Sequence, residues 1–451
     1  MQVEITQEFI EQIQQLIADK NSLEIKRLFE EIHHADIADI LDDLNFDDAI
    51  YIIKLLDTEK TSDILTELDD DTREKVLKGL SSEEIAKEID ELESDDAADI
   101  IGELPEEQKK EVISQIEDVE HAKDIVDLLR YDEDTAGGLM GKELIKVNEN
   151  WTNLRCVKEM RKQAEDYDKV HTIYVVDDND VLKGRLSLKS LLTTSTRSEV
   201  KEVYNPKINY VRVDEKDEEV AKTMQKYDLF VVPVVDEMNR LVGQITIDDI
   251  VDVIRDEADK DYQMAAGITE DVEADDSVLE LTKARLPWLV LGLIGGLGAV
   301  FIMEGYEEFM HKDGIKELFF FTPLIAAMAG NVGVQSSAII VQGLANDIVK
   351  GSLWSRLLKE VGLSLINGVS LAALIMVFGY IMSYEISFSL TIALALICVI
   401  IVAALIGTFV PIILHKKGID PAIATGPFIT TSNDIFGIFL FFYIAKLILH
   451  F

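Results

Sequence analysis

An acidic residue, Asp434, stands inside a strongly apolar stretch near the C-terminus, TTSNDIFGIFLFFYIAKLIL. A charged side chain at membrane depth is costly and usually meets an opposite charge or lines a polar pathway. Lys446, near the far end of the same stretch, is the only lysine in the interior of any of the long apolar stretches. Because no basic partner lies at its depth, the Asp434 carboxylate is predicted to bind a cation from solution. We expect it to be the one acidic residue well inside an apolar stretch.

The other polar side chains of the apolar stretches indicate which cation this is. Apart from His450 at the end, these stretches contain no histidine and a single cysteine, so the ligands that soft transition metals prefer are missing. One carboxylate with amide oxygens is too small a set for a dehydrated Ca²⁺, whereas Mg²⁺ keeps several waters and is often held through one or two carboxylates. A largely hydrated Mg²⁺ is therefore predicted. Asn331, Gln335 and Asn433 could line its path, although each alone is equally consistent with a hydrogen bond between helices.

A second group of acidic residues precedes the apolar part of the chain. One cluster, ESDDAAD, contains Asp95, Asp96 and Asp99, and helix capping is the alternative role for any one of them. A single predicted helix carries the other acids, many of them on one face, where like charges at i, i+3 and i+4 spacing destabilise an isolated helix. Such a face is stable when it opposes another acidic surface through bound divalent cations. We therefore predict a cation sensor between the cluster and this helix, whose acids are Asp248, Asp249, Asp252, Asp256, Glu257 and Asp259.

Five stretches are long and apolar enough to cross a bilayer, which takes roughly 20 residues per helix. They are residues 286–309, 318–345, 361–384, 388–414 and 422–449. Most of the basic residues that flank them, including Lys283, Arg285, Lys416 and Lys417, lie on the side of the acidic domains. The positive-inside rule then places the N-terminus in the cytoplasm and the C-terminus outside. The start of the chain is acidic and polar, unlike a secretory signal, and this agrees with that orientation.

The charge of the chain is concentrated before the membrane part. The formal net charge of the 451 residues is −41, and nearly all of it belongs to residues 1–285. Nucleic-acid binding is excluded as a function because phosphate contacts need clustered lysine and arginine. The natural partners of such a surface are cations, which would relieve its self-repulsion. The chain also lacks a P-loop, a nucleophile elbow, H-E-x-x-H and Cys-x-x-Cys, so an enzyme is not expected.

Two internal repeats organise the acidic part. Leucine or isoleucine recurs every twelve residues from Leu44 to Leu128, which predicts a stack of short helices that pair into units of about 24 residues. A second repeat has a spacing of 59 residues and matches HTIYVVDDNDVLKGRLSLKSLL to LFVVPVVDEMNRLVGQITIDDIV. Each copy predicts a strand of β-branched residues, a turn, a second strand after the glycine, and then a helix. This duplicated segment resembles a tandem CBS domain, and the resemblance implies that Thr246 and Asp249 could meet the ribose of a nucleotide such as ATP.

The order of these parts resembles the MgtE magnesium channel family along essentially the whole chain. The resemblance rests on five apolar stretches with GNVGVQSS and TSNDIFG, on the CBS repeats, and on YDEDTAGGLM at 131–140. It implies a homodimer in the cell membrane, with Asp434 as the selectivity carboxylate and Asn331 in the second-span motif. It also implies that the acidic N-terminal domain and the CBS domains sense cytosolic Mg²⁺.

The predicted fold class is multidomain: an N-terminal helical superhelix, α/β tandem CBS domains and a five-helix transmembrane domain. The expected boundaries are 1–130 for the acidic helical domain, 131–264 for the CBS domains, 265–285 for a connecting (plug) helix, and 286–451 for the pore domain. The predicted function is Mg²⁺ import through a channel that cytosolic Mg²⁺ closes. An ion-coupled secondary transporter of Mg, Mn or Co is the alternative, and a membrane-anchored CBS signalling module without transport is a second rival.

Overall fold

The computed structural model describes residues 5–164, 170–269, 272, 276–307, 316–345, 348–349, 352–424 and 426–449. The chain forms two compact units, the N-terminal unit Met1–Arg255 and the C-terminal unit Asp256–Phe451. Each unit has a hydrophobic core of its own.

Short helices make up the first part of the N-terminal unit. Its described residues form α1 Gln7–Ala18, α2 Ser22–Glu30, α3 His34–Asp42, α4 Phe46–Ile53, α5 Thr58–Glu67, α6 Asp70–Gly79, α7 Ser82–Ile89, α8 Ser94–Glu103, α9 Glu106–Ile113 and α10 Val119–Leu128. Polar side chains begin several of them; Ser81, for example, forms a capping box with Glu84 at the start of α7.

The twelve-residue spacing reflects one helix and one turn. Leu68, Leu80 and Leu104 are the buried C-terminal cap residues of α5, α6 and α8. Helices pack chiefly against the next but one: α3 against α5, α5 against α7, α4 against α6, α7 against α9, and α8 against α10. The predicted stack of short helices, paired in units of two, is therefore confirmed.

Two copies of one α/β arrangement follow. The first contains β1 Ile145–Asn148, α11 Asn153–Gln163, β2 Ile173–Val176, β3 Leu182–Leu186 and α12 Leu188–Thr193. The second contains β4 Val211–Arg212, α13 Asp217–Tyr227, β5 Val231–Val235, β6 Leu241–Thr246 and α14 Ile247–Ala266. In each sheet the first strand is parallel to the second and the second is antiparallel to the third, so the predicted duplication is confirmed.

The expected connecting helix at 265–285 is wrong in its bounds. α14 continues to Ala266, where Gly267 adopts a left-handed conformation (φ +83°) and ends it. The next described helix, α15, begins at Val278 after the capping residue Ser277, and it continues into the first apolar stretch. A strong cap therefore starts the first membrane helix eight residues before its apolar stretch.

Five helices of the C-terminal unit are long and apolar enough to cross a membrane, as predicted. They are α15 Val278–Glu304, α16 Thr322–Ala345, α17 Leu353–Ile381, α18 Ile386–Lys416 and α19 Gly426–Leu449. α18 is the most buried and packs against α16, α17 and α19, while α15 packs on α19. A glycine allows one close approach, because a Cβ on Gly407 of α18 would overlap the Gly333 carbonyl oxygen of α16.

Candidate pore and cation-sensing sites

Asp434 lies at a cavity of about 280 Å³ between α16 and α19. Its polar neighbours around the cavity are Asn331 and Gln335 of α16 and Thr430 of α19. Both amide side chains belong to exposed residues, and Asp434 is half-buried. The structure thus brings together a carboxylate and two amide oxygens, which are ligands that suit a hydrated divalent cation.

A glycine brings the two helices close at this point. A Cβ on Gly330 of α16 would lie 3.1 Å from the Thr430 methyl carbon and 3.5 Å from the Asp434 Oδ1 atom. Thr430 donates a hydrogen bond from Oγ1 to the Gly426 carbonyl oxygen at 2.9 Å. Gly330 begins the motif GNVGVQSS, and Thr430 begins the polar TTSN segment before Asp434.

Asn433 does not line the Asp434 cavity, contrary to expectation. Its side chain is buried, and a Cβ on Gly333 would overlap its amide nitrogen. Among the described residues, neither side-chain atom of Asn433 has a hydrogen-bond partner. Neighbouring residues of a helix point about 100° apart, so Asn433 meets the packed α16–α18 side while Asp434 meets the cavity.

A second carboxylate lies inside a membrane helix, which corrects the expectation that Asp434 is alone. α17 begins at Leu353, so Glu360 falls within the helix rather than before it. The Ser336 hydroxyl of α16 donates to the Glu360 carboxylate at 2.6 Å. Glu360 does not line the cavity at Asp434, and it joins two helices instead.

Five of the predicted sensor acids converge in the N-terminal unit. Asp95, Asp96 and Asp99 lie on α8, close to Asp248 and Asp249 at the start of α14. The Asp249 carboxylate accepts hydrogen bonds from the Thr246 backbone N–H at 3.1 Å and from its hydroxyl at 2.8 Å. Thr246 also donates to the Asp248 carboxylate.

Burial and mutual repulsion perturb these carboxyl groups. Burial, followed by the Asp249 carboxylate, raises the pKa of Asp95 well above its usual range and that of Asp96 to about 7. Burial, followed by Glu133, raises the pKa of Asp99 to about 7, and burial raises the pKa of Asp249 to about 6. The charged form of each carboxyl group is therefore unfavourable in this arrangement. A bound divalent cation would relieve the repulsion between the carboxylates.

Two further acids belong to the cluster and were missed. One oxygen each from Glu93, Asp95 and Glu143 lies within 4.8 Å of the others, a spacing that could hold a metal ion. Glu143 also accepts from the Ser94 backbone N–H at 3.0 Å and from its hydroxyl at 2.9 Å. Glu93 begins the cluster ESDDAAD, but Glu143 lies outside any helix or strand, and no periodicity points to it.

The remaining predicted sensor acids are Asp252, Asp256, Glu257 and Asp259. Asp252 is exposed on the next turn of α14. Asp256, Glu257 and Asp259 belong to the C-terminal unit, where Glu257 pairs with Lys260 at 3.1 Å. Their sensor role stays a prediction.

A larger acidic cavity of about 510 Å³ adjoins the cluster. One lysine and two histidines stand among its lining residues, against nine carboxylates. The carboxylates are Glu59, Asp63, Asp90, Glu91, Glu93, Asp118, Glu120, Asp124 and Glu143.

The nucleotide prediction at Thr246 and Asp249 is not supported by their positions, since both are engaged at the acidic cluster. A different cavity, of about 460 Å³, lies between the two CBS repeats and is lined by His171, Arg185 and Lys207 among others. Neither Thr246 nor Asp249 lines it. Its basic side chains make it the better place for an anionic ligand.

Known families match most of the chain. Residues 322–444 match the family described as a divalent cation transporter, residues 32–134 the MgtE intracellular N domain, and residues 136–196 and 200–256 the CBS domain. The chain is 35% identical to the magnesium transporter MgtE of Thermus thermophilus over 71% of its own length and 72% of the relative's. It is 34% identical to the Enterococcus faecalis magnesium transporter MgtE, covering 74% and 73% of the two chains.

A solved structure resembles the N-terminal part. It is the crystal structure of the cytosolic domain of the Mg²⁺ channel MgtE in complex with ATP, with 35% identity and a TM-score of 0.50. The similarity covers 54% of this chain and 99% of that one.

Proposed function

Since the chain belongs to the MgtE family of magnesium transporters, it transports Mg²⁺, and we propose that it does so as a channel whose path passes Asp434. The observation that carries this proposal is the cavity at which Asp434 meets Asn331 and Gln335. In the proposal, residues 286–451 form the pore, and residues 1–130 and 131–264 form the sensor.

Mg²⁺ suits this site because it dehydrates reluctantly and is commonly held through one or two carboxylates. The Asp434 carboxylate attracts the ion and accepts hydrogen bonds from its water shell. Asn331 and Gln335 offer carbonyl oxygens to the same shell, and they add no charge that would hold the ion too tightly to leave. Asn433 has no role in this path and packs the helices that form it.

Cytosolic Mg²⁺ closes the channel in this proposal by binding the acidic cluster of the N-terminal unit. Asp95, Asp96, Asp99 and Asp249 are held together without enough positive charge, so the compact form is favoured when a cation binds there. Each occupied site favours that form by RT ln(1 + [L]/Kd), about 1 kcal/mol at a few-fold above Kd. When the cytosolic Mg²⁺ concentration falls, repulsion between these carboxylates favours an open arrangement of the N-terminal unit, and the pore opens.

ATP is proposed to bind the cleft between the CBS repeats. The similar cytosolic domain of an Mg²⁺ channel MgtE was solved in complex with ATP, and the cleft of this chain carries His171, Arg185 and Lys207. Arg185→Gln removes one phosphate-binding cation and is expected to weaken ATP binding about tenfold or more, measured by calorimetry on the full chain. Thr246→Val serves as the control, since Thr246 lies outside the cleft; equal losses in both variants contradict the assignment.

The chain is proposed to form a homodimer in the cell membrane, with its N-terminus in the cytoplasm. Exposed apolar side chains at i, i+4 spacing on α12 and at i, i+3 spacing on α14 support a second copy as partner, because apolar side chains that share one exposed helix face mark an interaction surface. They are Leu188, Leu192, Val251 and Ile254.

Current recording from the reconstituted chain tests the channel proposal. With Mg²⁺ as the only permeant cation and no proton or sodium gradient, we expect a current that stops when Mg²⁺ is added on the side of the N-terminal unit. A flux that needs a proton or sodium gradient contradicts the channel and favours an ion-coupled transporter. A current insensitive to Mg²⁺ on that side contradicts the sensor alone.

A further inference from the structure

An apolar groove runs between α17 and α18 in the C-terminal unit. Its cavity of about 380 Å³ is of the size that holds small ligands, roughly 300–1,000 Å³. None of its lining side chains is charged, and it is open to the surface, where Trp354 and Leu358 are 74% and 70% exposed. Its lining includes Trp354, Leu358 and Val361 of α17 and Val402, Ile406 and Phe409 of α18.

Two lysines mark one end of this groove. Lys416 lies seven residues after Phe409, which places it two turns further along the same face of α18. Lys417 follows it as the C-terminal cap residue, and both are exposed. Lys359 of α17, in contrast, does not line the groove.

The first turn of α17 meets the same end. Gly368 packs on Ile397 and Gly379 on Ser389, so α17 and α18 are antiparallel and the start of one lies beside the end of the other. The side chain of Ser352, the N-terminal cap residue, makes no capping hydrogen bond. The first N–H groups of a helix favour an anion, as do the neighbouring lysines.

We propose that an anionic phospholipid binds here, with an acyl chain in the groove and its phosphate between Lys416, Lys417 and the first turn of α17. The charge pattern selects this occupant over a neutral lipid, since basic pockets between membrane helices bind anionic headgroups. Trp354 stands at the mouth, where aromatic side chains meet the headgroup region. The site is separate from Asp434 and from the acidic cluster.

Quenching of Trp354 fluorescence by brominated lipids tests this proposal. The full chain carries Trp151→Phe and Trp288→Phe, so that Trp354 is the sole reporter, and it is reconstituted with acyl-brominated phosphatidylglycerol or phosphatidylcholine. We expect a binding preference for phosphatidylglycerol of about fivefold per contributing lysine. K416Q/K417Q should bring the ratio towards one, whereas Lys359→Gln and K416R/K417R should retain the preference.

The outcomes separate the possible occupants. Equal quenching by both lipids in the parent chain overturns the proposal, as does a preference that K416Q/K417Q leaves unchanged. Absence of quenching by either lipid means that protein, such as a second copy, covers the groove, which also overturns it. Loss of the preference on adding millimolar inorganic phosphate would assign the basic end to free phosphate instead. Mg²⁺ flux by each variant verifies that it is folded.

Discussion

Replacing Asp96 by asparagine removes one buried negative charge from the acidic cluster while keeping the size of the side chain. Burial and the Asp249 carboxylate raise the pKa of Asp96 from 3.8 to about 7. At about 1.4 kcal/mol per pKa unit, keeping this group charged costs the compact form up to about 4 kcal/mol. Because neighbouring groups relax, the full cost is not recovered. We expect Asp96→Asn to raise the free energy of opening the compact form by about 2–4 kcal/mol at pH 8 without divalent cations.

The pH dependence follows from the direction of this shift. Because the pKa of Asp96 is raised in the compact form, its contribution to stability is fully present below pH 4 and is lost as the pH rises through about 7. The parent chain and Asp96→Asn should therefore be equally resistant to opening near pH 4, and they should differ most above pH 7. Mg²⁺ should protect the parent chain at pH 8 and protect the variant much less.

Limited proteolysis of the full chain measures this opening. When reclosing is faster than cleavage, the cleavage rate follows the open population, so 2–4 kcal/mol corresponds to about 30-fold to 1000-fold slower cleavage. Asp252→Asn is the control, since this carboxylate is exposed on α14, one turn beyond Asp249 of the cluster. Equal cleavage rates for Asp96→Asn and the parent chain at pH 8 without Mg²⁺ would show that Asp96 does not oppose the compact form, and undiminished protection of the variant by Mg²⁺ would show that it does not bind the ion.

Two further predictions concern packing and buried charge. Glu88 accepts a hydrogen bond from the Thr61 hydroxyl at 2.6 Å, and burial raises its pKa to about 7, so Glu88→Gln should raise the free energy of unfolding by up to about 3 kcal/mol at pH 8 and by nothing near pH 4. Denaturant unfolding at the two pH values checks this, and equal stability at pH 8 contradicts it. Gly407→Ala should separate α16 from α18 and cost about 1–3 kcal/mol, measured by thermal unfolding in detergent. Gly292→Ala should be neutral because nothing lies within 4 Å of the added carbon; similar losses in both variants would contradict this account.

The repeats made most of the architecture predictable. A twelve-residue recurrence leaves room for only one short helix and a turn, and the structure has its buried leucines at the helix ends, as with Leu68 and Leu104. The 59-residue repeat predicted both strands of each copy, although its glycine, Gly184 or Gly243, lies inside the second strand rather than before it. Membrane helices follow from apolar length alone, but their ends do not. α15 starts after the polar cap residue Ser277 and α17 starts at Leu353, and both starts lie before the apolar stretches that predict these helices.

The sites were less predictable because they depend on which helix lies opposite. Asp434 and Asn433 are adjacent polar residues, and the packing of α16 decides that one lines a cavity and the other is buried. Glu143 joins Asp95 from a segment without regular structure, about fifty positions along the chain, so no spacing rule could pair them. Asp249 is the last residue of a Thr-x-x-Asp pattern that predicts a nucleotide site. In the structure it lies close to the acids of α8 and belongs to the cation cluster.

Mg²⁺ flux into vesicles that contain Asp434→Asn tests the role of Asp434 most directly. The substitution keeps the size of the side chain and removes its charge, so we expect flux to fall about tenfold or more when the N-terminal side is free of Mg²⁺. Glu360→Gln removes another carboxylate inside a described membrane helix, and it should retain most of the flux because Glu360 does not line the cavity. Undiminished flux in Asp434→Asn, with the protein folded and correctly inserted, would contradict the assignment of this carboxylate to the Mg²⁺ path.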